Sequence, residues 1–458
     1  MKSLTIKELV LATKGKLIIG NENNLIHDVV IDSRLANNEN VFVAIVGENL
    51  DGHQFIKSAQ QNGCKTFIKN ESNSIKLDSS DINLIEVKDT EIAMGDIGKY
   101  YKSKFDIPYI GITGSVGKTT TRDMVYATVC SKFKTLKNEG NLNNQLGVPL
   151  TLFNLNESHE CAVIEMGMSG FNEIEYLANI VNPQIGVISN IGLSHIENLG
   201  SQEGILKAKM EITANFDSSS TLVVNGDDKF LATLKEKDHV FTLKTFGFNK
   251  DNDIYCDEYE MTEDSITFTC VINENKEEIF VPTVGEHNIY NAMAAILVGM
   301  SLGLTLDEVK DGLKNFKATK MRQDILKTDK LTIINDAYNA SPDSMKAALK
   351  ILGRYKNRRV AILGDMFEMG THAEYGHRLV GESVIDNADL VLTIGKDSDF
   401  IGKEAIKLGF SKENIHHFDT KEDAINKIDN LLKDEDVILV KASRGMKLEK
   451  IVEYLNKQ

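Results

Sequence analysis

The stretch Ile110-Gly-Ile-Thr-Gly-Ser-Val-Gly-Lys-Thr-Thr120 decides how this chain is read. An apolar run ends at Ile112, a glycine-rich loop follows, and Arg122-Asp-Met-Val-Tyr-Ala-Thr-Val129 continues as a helix. Such a loop turns successive backbone N–H groups inward at a helix N-terminus and forms an anion cradle. Thr113, Gly114, Ser115, Val116, Gly117, Lys118, Thr119 and Thr120 are therefore the expected triphosphate-binding residues. Lys118 is placed to reach the β- and γ-phosphates, and the Thr119 hydroxyl to ligate magnesium. The usual pattern carries a glycine where this chain has Ile112. The plain alternative is a glycine-rich turn with an adventitious Gly-Lys-Thr. The strand before the loop and the helix after it argue against that alternative.

Outward from the loop, strand and helix patterns alternate. Ala162-Val-Ile-Glu165, Ile185-Gly-Val-Ile-Ser189 and Leu222-Val-Val-Asn225 are short apolar runs bounded by turn residues. They predict a mostly parallel sheet with helices on both faces. Residues 240–282 are more polar and read with period two, as in Ser265-Ile-Thr-Phe-Thr-Cys270, so antiparallel strands are expected at the edge of that sheet. Asn288 to Leu302 reads as a buried helix.

Before the loop, Thr5 to Ala12 reads as a helix and Val41-Phe-Val-Ala-Ile-Val46 as a buried strand. A turn, Gly47-Glu-Asn-Leu-Asp-Gly52, leads to a helix with Phe55, Ile56 and Ala59 on one side. Thr66-Phe-Ile68 and Ile82-Asn-Leu-Ile-Glu-Val87 complete a small α/β unit. A third α/β unit, of Rossmann type, begins near Lys320. Its strands are Leu331-Thr-Ile-Ile334, Val360-Ala-Ile-Leu363, Leu390-Val-Leu-Thr-Ile394 and Val437-Ile-Leu-Val440. Gly364, Gly395 and Arg444-Gly445 follow three of them, where open α/β sheets bind ligands. The chain thus divides into residues 1–104, 105–318 and 319–458.

The net charge of −15 argues against a nucleic-acid partner, which requires a basic surface. The five cysteines are scattered and lack metal-binding or disulfide spacing. The N-terminal residues show no apolar leader, and no run reaches the length of a membrane span. A cytoplasmic protein without membrane insertion is the expectation.

Three further positions carry chemistry. Glu165 ends an apolar strand and precedes Gly167 and Gly170; it is either a magnesium ligand beside the loop or a solvent-facing cap. His195 follows another strand, in Ser189-Asn-Ile-Gly-Leu-Ser-His-Ile-Glu197, and alone is a weak signal. In Ser201-Gln-Glu-Gly-Ile-Leu-Lys-Ala-Lys-Met-Glu-Ile212, helical projection puts Lys209 inside the face formed by Ile205, Leu206, Ala208 and Ile212, with Lys207 and Glu211 on the solvated side. A buried Lys209 would have a depressed pKa and a nucleophilic amine. The other reading is snorkelling, with only the stem buried.

Together, the loop, Glu165, and His195 followed by Ala208-Lys209 resemble the central domain of the Mur ligases, ATP-dependent amide-forming enzymes of bacterial cell-wall precursor synthesis. The resemblance spans the chain. Asp32-Ser-Arg34 and Phe42 to His53 resemble the family's UDP-binding domain, which implies Ser33 and Arg34 as substrate contacts. Asn138-Glu-Gly-Asn-Leu-Asn-Asn-Gln-Leu-Gly-Val-Pro149 resembles the muramyl-substrate loop and implies Asn141, Asn143 and Asn144. His287-Asn-Ile-Tyr-Asn291, Arg322 and Asn335-Asp-Ala-Tyr-Asn339 resemble nucleotide-contacting segments, which implies Asn291, Arg322 and Asp336 for ATP, with Tyr338 and Asn339 at the substrate. Val116 departs from the asparagine common in the family.

Asn141-Leu-Asn-Asn144, Tyr338-Asn-Ala-Ser-Pro342 and Leu363-Gly-Asp-Met-Phe-Glu-Met-Gly370 resemble the branch that adds D-alanyl-D-alanine to UDP-N-acetylmuramoyl-tripeptide. The D-N-P-R motif of the branch that adds a diamino acid is missing after Leu390-Val-Leu-Thr393. The resemblance implies two Mg2+ ions held by Thr119, Glu165, His195 and Lys209, with a carbamate on Lys209, and Lys118 completing the catalytic set. It implies a monomer in which ATP closes the C-terminal unit on the centre. The N-K-x-D string of switch GTPases is incomplete at Asn249-Lys-Asp-Asn252, and the L-S-G-G-Q signature of ABC-type ATPases is missing.

Overall fold

Alternation along single strands shows how the central sheet is covered. In the computed structural model, which describes all residues except Glu48, Lys76, 78–80 and Gln458, Ile110, Ile112, Val163 and Val187 point into one apolar core. Ala162, Ile164 and Ile188 point into another. Successive strand residues face opposite sides, so both faces of this sheet are dry. On one side lie the helices Lys118–Val129, His287–Ser301 and Leu306–Lys314. On the other lie Gly147–Leu152 and Glu173–Val181.

The strand Tyr109–Thr113 runs parallel between Cys161–Glu165 and Ile185–Ile188. Its register sets Ile112 opposite Glu165, and Thr113 opposite Ile188. The three carboxyl ends are therefore level, and the loops leaving them share one rim. The sheet has nine strands, and parallel pairing extends further than expected: Thr242–Gly247 pairs parallel with Thr221–Asn225, and Ile254–Met261 begins parallel to Thr242–Gly247. Among the described residues, only Ile266–Ile272 and Asn275–Val281 add antiparallel pairs to it. Polar, period-two composition reported exposure of that edge rather than strand direction.

The N-terminal unit has a five-stranded sheet in the order Lys16–Ile19, Asn83–Val87, Thr66–Asn70, Asn40–Val43, Asp28–Val30. Its helix Ile6–Thr13 starts with a capping box between Thr5 and Glu8, which satisfies two amides at once. The expected strand to Val46 ends at Val43; Val46 is exposed and bridges Asp51. Ile56 and Ala59 are buried, but Phe55 is 37% exposed because a 3-10 turn, Gly52–Phe55, rotates it off the helix face. Glu48, within the expected turn, lies outside the described residues. The helix Thr90–Lys102 buries Met94, Ile97 and Tyr101 in the same core as Leu152 and Leu177. The N-terminal unit is thereby packed onto the central sheet.

The third sheet has six strands, all parallel except Asp324–Lys327, which pairs antiparallel with Thr332–Asn335. Its strands again feed two cores, Ile334, Leu363 and Leu439 on one side and Ile333, Ile362 and Val440 on the other. Among the described residues no helix is long and apolar enough to cross a membrane.

Candidate active site

The Gly114–Thr120 loop opens into a cleft of about 980 Å3 that is also lined from the third sheet by Arg322, Asp336, Tyr338, Asn339, Lys441 and Arg444. Gly117 ends the loop at φ 84° and starts the helix Lys118–Val129. Ser115 N donates to Asn190 O, and Val116 N to Asn190 Oδ1 (2.9 Å), while Asn190 Nδ2 donates back to Val116 O (2.8 Å). The neighbouring strand end thus props the loop open. Among the described residues, the amides of Gly117, Lys118 and Thr119 meet no protein acceptor. The Thr113 and Ser115 hydroxyls are buried without partners. The free amides at the helix N-terminus, with the Ser115 hydroxyl at the cleft, suit a polyphosphate. Lys118 Nζ rests on the Gly114 and Ser115 carbonyls (2.8 and 3.4 Å), and burial pushes its pKa down.

Glu165 is buried at the rim. Its Oε2 accepts from Thr119 Oγ1 (2.9 Å), and its Oε1 from Asn143 Nδ2 (2.7 Å). Asn138 clamps the Glu165 backbone from both sides, donating to its carbonyl and accepting from its amide. The buried Arg122 lies 3.3 Å from Glu165 Oε2. Glu165 is therefore no solvent-facing cap. A hydroxyl and a carboxylate oxygen converge there, which is the donor chemistry magnesium takes.

Lys209 is 1% exposed, on the helix Gln202–Met210. Among the described residues its ammonium has neither a hydrogen bond nor an ion pair. Burial, with the like charge of Lys118 added, pushes its pKa well below the usual lysine value. Snorkelling is thereby excluded. Lys207 is exposed as expected, whereas Glu211 accepts from the Asn172 and Glu175 amides and caps the helix Glu173–Val181. The solvent side of one helix here faces the N-terminus of another.

His195 adopts φ 62° and lines the cleft, with Nδ1 2.5 Å from a carboxylate oxygen of Glu368, a residue of the third sheet's loops. The contact is an ion-pair approach, since Nδ1 has no aligned hydrogen-bond partner. It lowers the Glu368 pKa.

Asn291 accepts from Thr121 Oγ1 and donates to Asn288 Oδ1, both at 2.9 Å, so one amide hydrogen remains for a ligand. The Arg322 guanidinium lies 4.2 Å above the Tyr338 ring, with Arg444 at 5.7 Å. Asp336 pairs with the buried Lys441 at 2.5 Å. The Asn144 side chain caps Gly147 N (2.8 Å), Asn339 accepts from Ala340 N, and Asn141 is exposed at the cleft.

Thr113, Gly114 and Lys209 do not line the cleft. Ser33 and Arg34 lie away from it on a 3-10 turn of the N-terminal unit, where Arg34 forms a two-pronged pair with Asp32. Of the three strand-end glycine positions in the third unit, only the Arg444 loop lines the cleft. Arg122, Asn138, Asn190, Glu368 and Lys441 were not singled out from sequence. Asn138, Asn190 and Glu368 lie inside the segments quoted for other residues. Arg122 and Lys441 gave no signal beyond their place one turn into a helix and at a strand end.

Three family models match in chain order: the Mur ligase family catalytic domain at residues 25–102, the Mur ligase middle domain at 112–299, and the Mur ligase glutamate ligase domain at 321–444. The UDP-N-acetylmuramoyl-tripeptide–D-alanyl-D-alanine ligase of Bacillus subtilis (strain 168) is 38% identical, over 98% of each chain. A crystal structure of MurF from Acinetobacter baumannii superposes with a TM-score of 0.92 at 29% identity, over 100% of both chains. MurF ligase from Thermotoga maritima in complex with ADP superposes with a TM-score of 0.82 at 26% identity, over 94% of this chain and 97% of that one. The P-loop, the buried carboxylate beside it and the match along the whole chain agree: the protein belongs to the Mur ligase family.

Proposed function

We propose that this chain is a cytoplasmic, monomeric ATP-dependent ligase that joins D-alanyl-D-alanine to the terminal carboxylate of UDP-N-acetylmuramoyl-tripeptide, in peptidoglycan precursor synthesis. The observation that carries the reading is the shared cleft, in which the P-loop of one sheet faces Arg322, Asp336, Tyr338 and Lys441 of another. A reaction that unites a nucleotide with two further substrates needs such a space. The relatives' names supply the substrates, and the Thermotoga complex supports adenine nucleotide as the phosphoryl donor.

A carboxylate and an amine do not condense in water, because the carboxylate lacks a leaving group. The γ-phosphoryl group of ATP passes to the terminal carboxylate oxygen, and ADP leaves. The dipeptide amine then attacks the acyl carbon, and the tetrahedral adduct expels phosphate together with that oxygen. Phosphoryl transfer depends chiefly on positioning and charge neutralisation. The loop amides, Lys118 and Arg322 hold the phosphates; the free hydrogen of Asn291 meets the adenine and Asp336 the ribose. Thr119 and Glu165 would hold one magnesium, and His195 with a carbamylated Lys209 a second. Bound magnesium supplies positive charge to the phosphate oxygens. Lys209 fits carbamylation: burial without an acceptor disfavours the ammonium form, and the neutral amine adds carbon dioxide with loss of one proton, giving a carbamate anion. Ser33 and Arg34 take the UDP end of the substrate; Asn141, Asn143, Asn144, Tyr338 and Asn339 take its muramyl-peptide end and the dipeptide. The division at 104/105 and 318/319 gives each substrate-handling sheet its own unit.

The test is phosphate release from ATP across UDP-muramyl peptides and acceptors. Turnover that requires both the tripeptide precursor and D-alanyl-D-alanine is expected. Turnover with free amino acids in place of the dipeptide, or GTP hydrolysis without acceptor, would overturn the reading.

A further inference from the structure

The buried guanidinium of Arg122 meets four separate parts of the chain. Its Nε and Nη2 donate to Asp123 Oδ1 (3.0 and 2.8 Å), its Nη1 reaches the Gly140 carbonyl and Glu165 Oε2 (both 3.3 Å), and its Nη2 lies 3.5 Å from Thr319 Oγ1. Asp123 also takes Lys137 Nζ (2.7 Å) and, on its other oxygen, the hydroxyl of Thr319. Two cations and two carboxylates thus balance in a cluster buried except at Lys137, and the burial is tolerable only with each group paired.

Thr319 belongs to the linker between the helix Leu306–Lys314 and the strand Asp324–Lys327. In that linker Met321 (φ 61°) and Gln323 (φ 55°) both adopt left-handed backbone, an uncommon state for such residues that surrounding contacts must hold. Between them stands Arg322, over Tyr338. Gln323 in turn bonds His287 (2.8 Å) and donates its amide to Asp336. The segment that sets the third sheet against the cleft is therefore pinned at Thr319 to the helix Lys118–Val129, through Asp123 and through Arg122, the side chain that also contacts Glu165.

We propose that Arg122, Asp123 and Thr319 are positioning residues that couple the Glu165 carboxylate to the linker on which the third sheet closes. The proposal rests on the ligase reading for its closure and goes beyond it in assigning the connection. A cation drawn to Glu165 Oε2 alters the charge that Arg122 faces. Arg122 keeps its fork on Asp123, and Asp123 passes the change to the Thr319 hydroxyl and so to the linker.

Thr319→Val removes the hydroxyl at constant shape on a half-buried residue, and Thr319→Ser keeps it. Nucleotide-induced compaction is read by small-angle scattering with ADP and magnesium, ADP affinity by calorimetry, and turnover by phosphate release. Thr319→Val is expected to lose at least half of the compaction and about tenfold in kcat, with ADP affinity and the KM for ATP within about threefold. Thr319→Ser is expected to restore both losses. Arg122→Lys combined with Thr319→Val should be no worse than the poorer single variant, because both break one connection. Wild-type compaction and kcat in Thr319→Val, failure of serine to restore them, additive losses in the double variant, or a wild type that does not compact would each overturn the coupling. Failure of the wild type to turn over the dipeptide would instead overturn the ligase reading, and the compaction arm would still judge the coupling.

Discussion

Replacing Lys209 with methionine should separate stability from activity. The amine is 1% exposed, without an acceptor, and burdened by the nearby Lys118 charge. Burial makes the folded amine bind its proton more weakly than the unfolded chain does. The unfolded state therefore holds more protons between the depressed folded value and 10.5, the unperturbed one. Stability consequently rises with pH through the interval from the depressed folded pKa up to 10.5, by at most about 1.4 kcal/mol per unit. Methionine keeps the stem's volume and removes that dependence. At neutral pH the variant should gain roughly 1 kcal/mol or more, about 2–4 °C for a unit of some 200 residues. Turnover should fall about a hundredfold or more, because the proposed carbamate on Lys209 can no longer form. The assays are thermal unfolding between pH 6 and 10 in carbon dioxide-free buffer, and phosphate release. Bicarbonate should stabilise the wild type by mass action and leave the variant unmoved. Near-wild-type turnover in Lys209→Met, or a variant that loses stability at neutral pH, would refute the reasoning.

Gly117→Ala forces a side chain into left-handed backbone (φ 84°) and sets a Cβ 3.2 Å from Asn291 Oδ1. It should cost about 1–2 kcal/mol and weaken ADP binding about tenfold or more in calorimetry. Glu368→Gln removes the carboxylate facing His195, a half-exposed pair worth under about 1 kcal/mol. The depressed Glu368 pKa means the carboxylate's contribution to the contact is lost as pH falls from the unperturbed 4.5 through the folded value. Scattering should show wild type and variant differing in radius of gyration at pH 7 and converging in acid. Arg34→Ala should raise the KM for the UDP-muramyl substrate and leave that for ATP unchanged, since Arg34 lies outside the nucleotide cleft and, among the described residues, its guanidinium pairs with Asp32.

The P-loop, the strand ends and the anomalous Lys209 were legible because each is a local pattern: glycines at a turn, apolar runs, one cation at a helical phase where neighbours are apolar. Strand direction at the central sheet's edge was not legible, because Thr242–Gly247 reads the same whichever way its partner runs. Phe55 misled for a related reason, since a 3-10 turn has a different angular step from an α-helix. Arg122, Glu368 and Lys441 matter through partners far away in the chain: Glu165 and Thr319, His195, and Asp336. No spacing rule within a segment reports such meetings. Asn291 was read as a nucleotide contact, and the structure shows most of its amide bonding two neighbouring side chains.

The central claim is that the γ-phosphoryl group of ATP passes through the substrate's own carboxylate. It is tested most directly by labelling the terminal carboxylate of the UDP-muramyl tripeptide with oxygen-18 and analysing the phosphate released on reaction with D-alanyl-D-alanine. The acyl-phosphate route requires one labelled oxygen in each phosphate formed, because the bond that breaks in the second step is the one between that oxygen and the acyl carbon. Phosphate released without label alongside peptide product would contradict it.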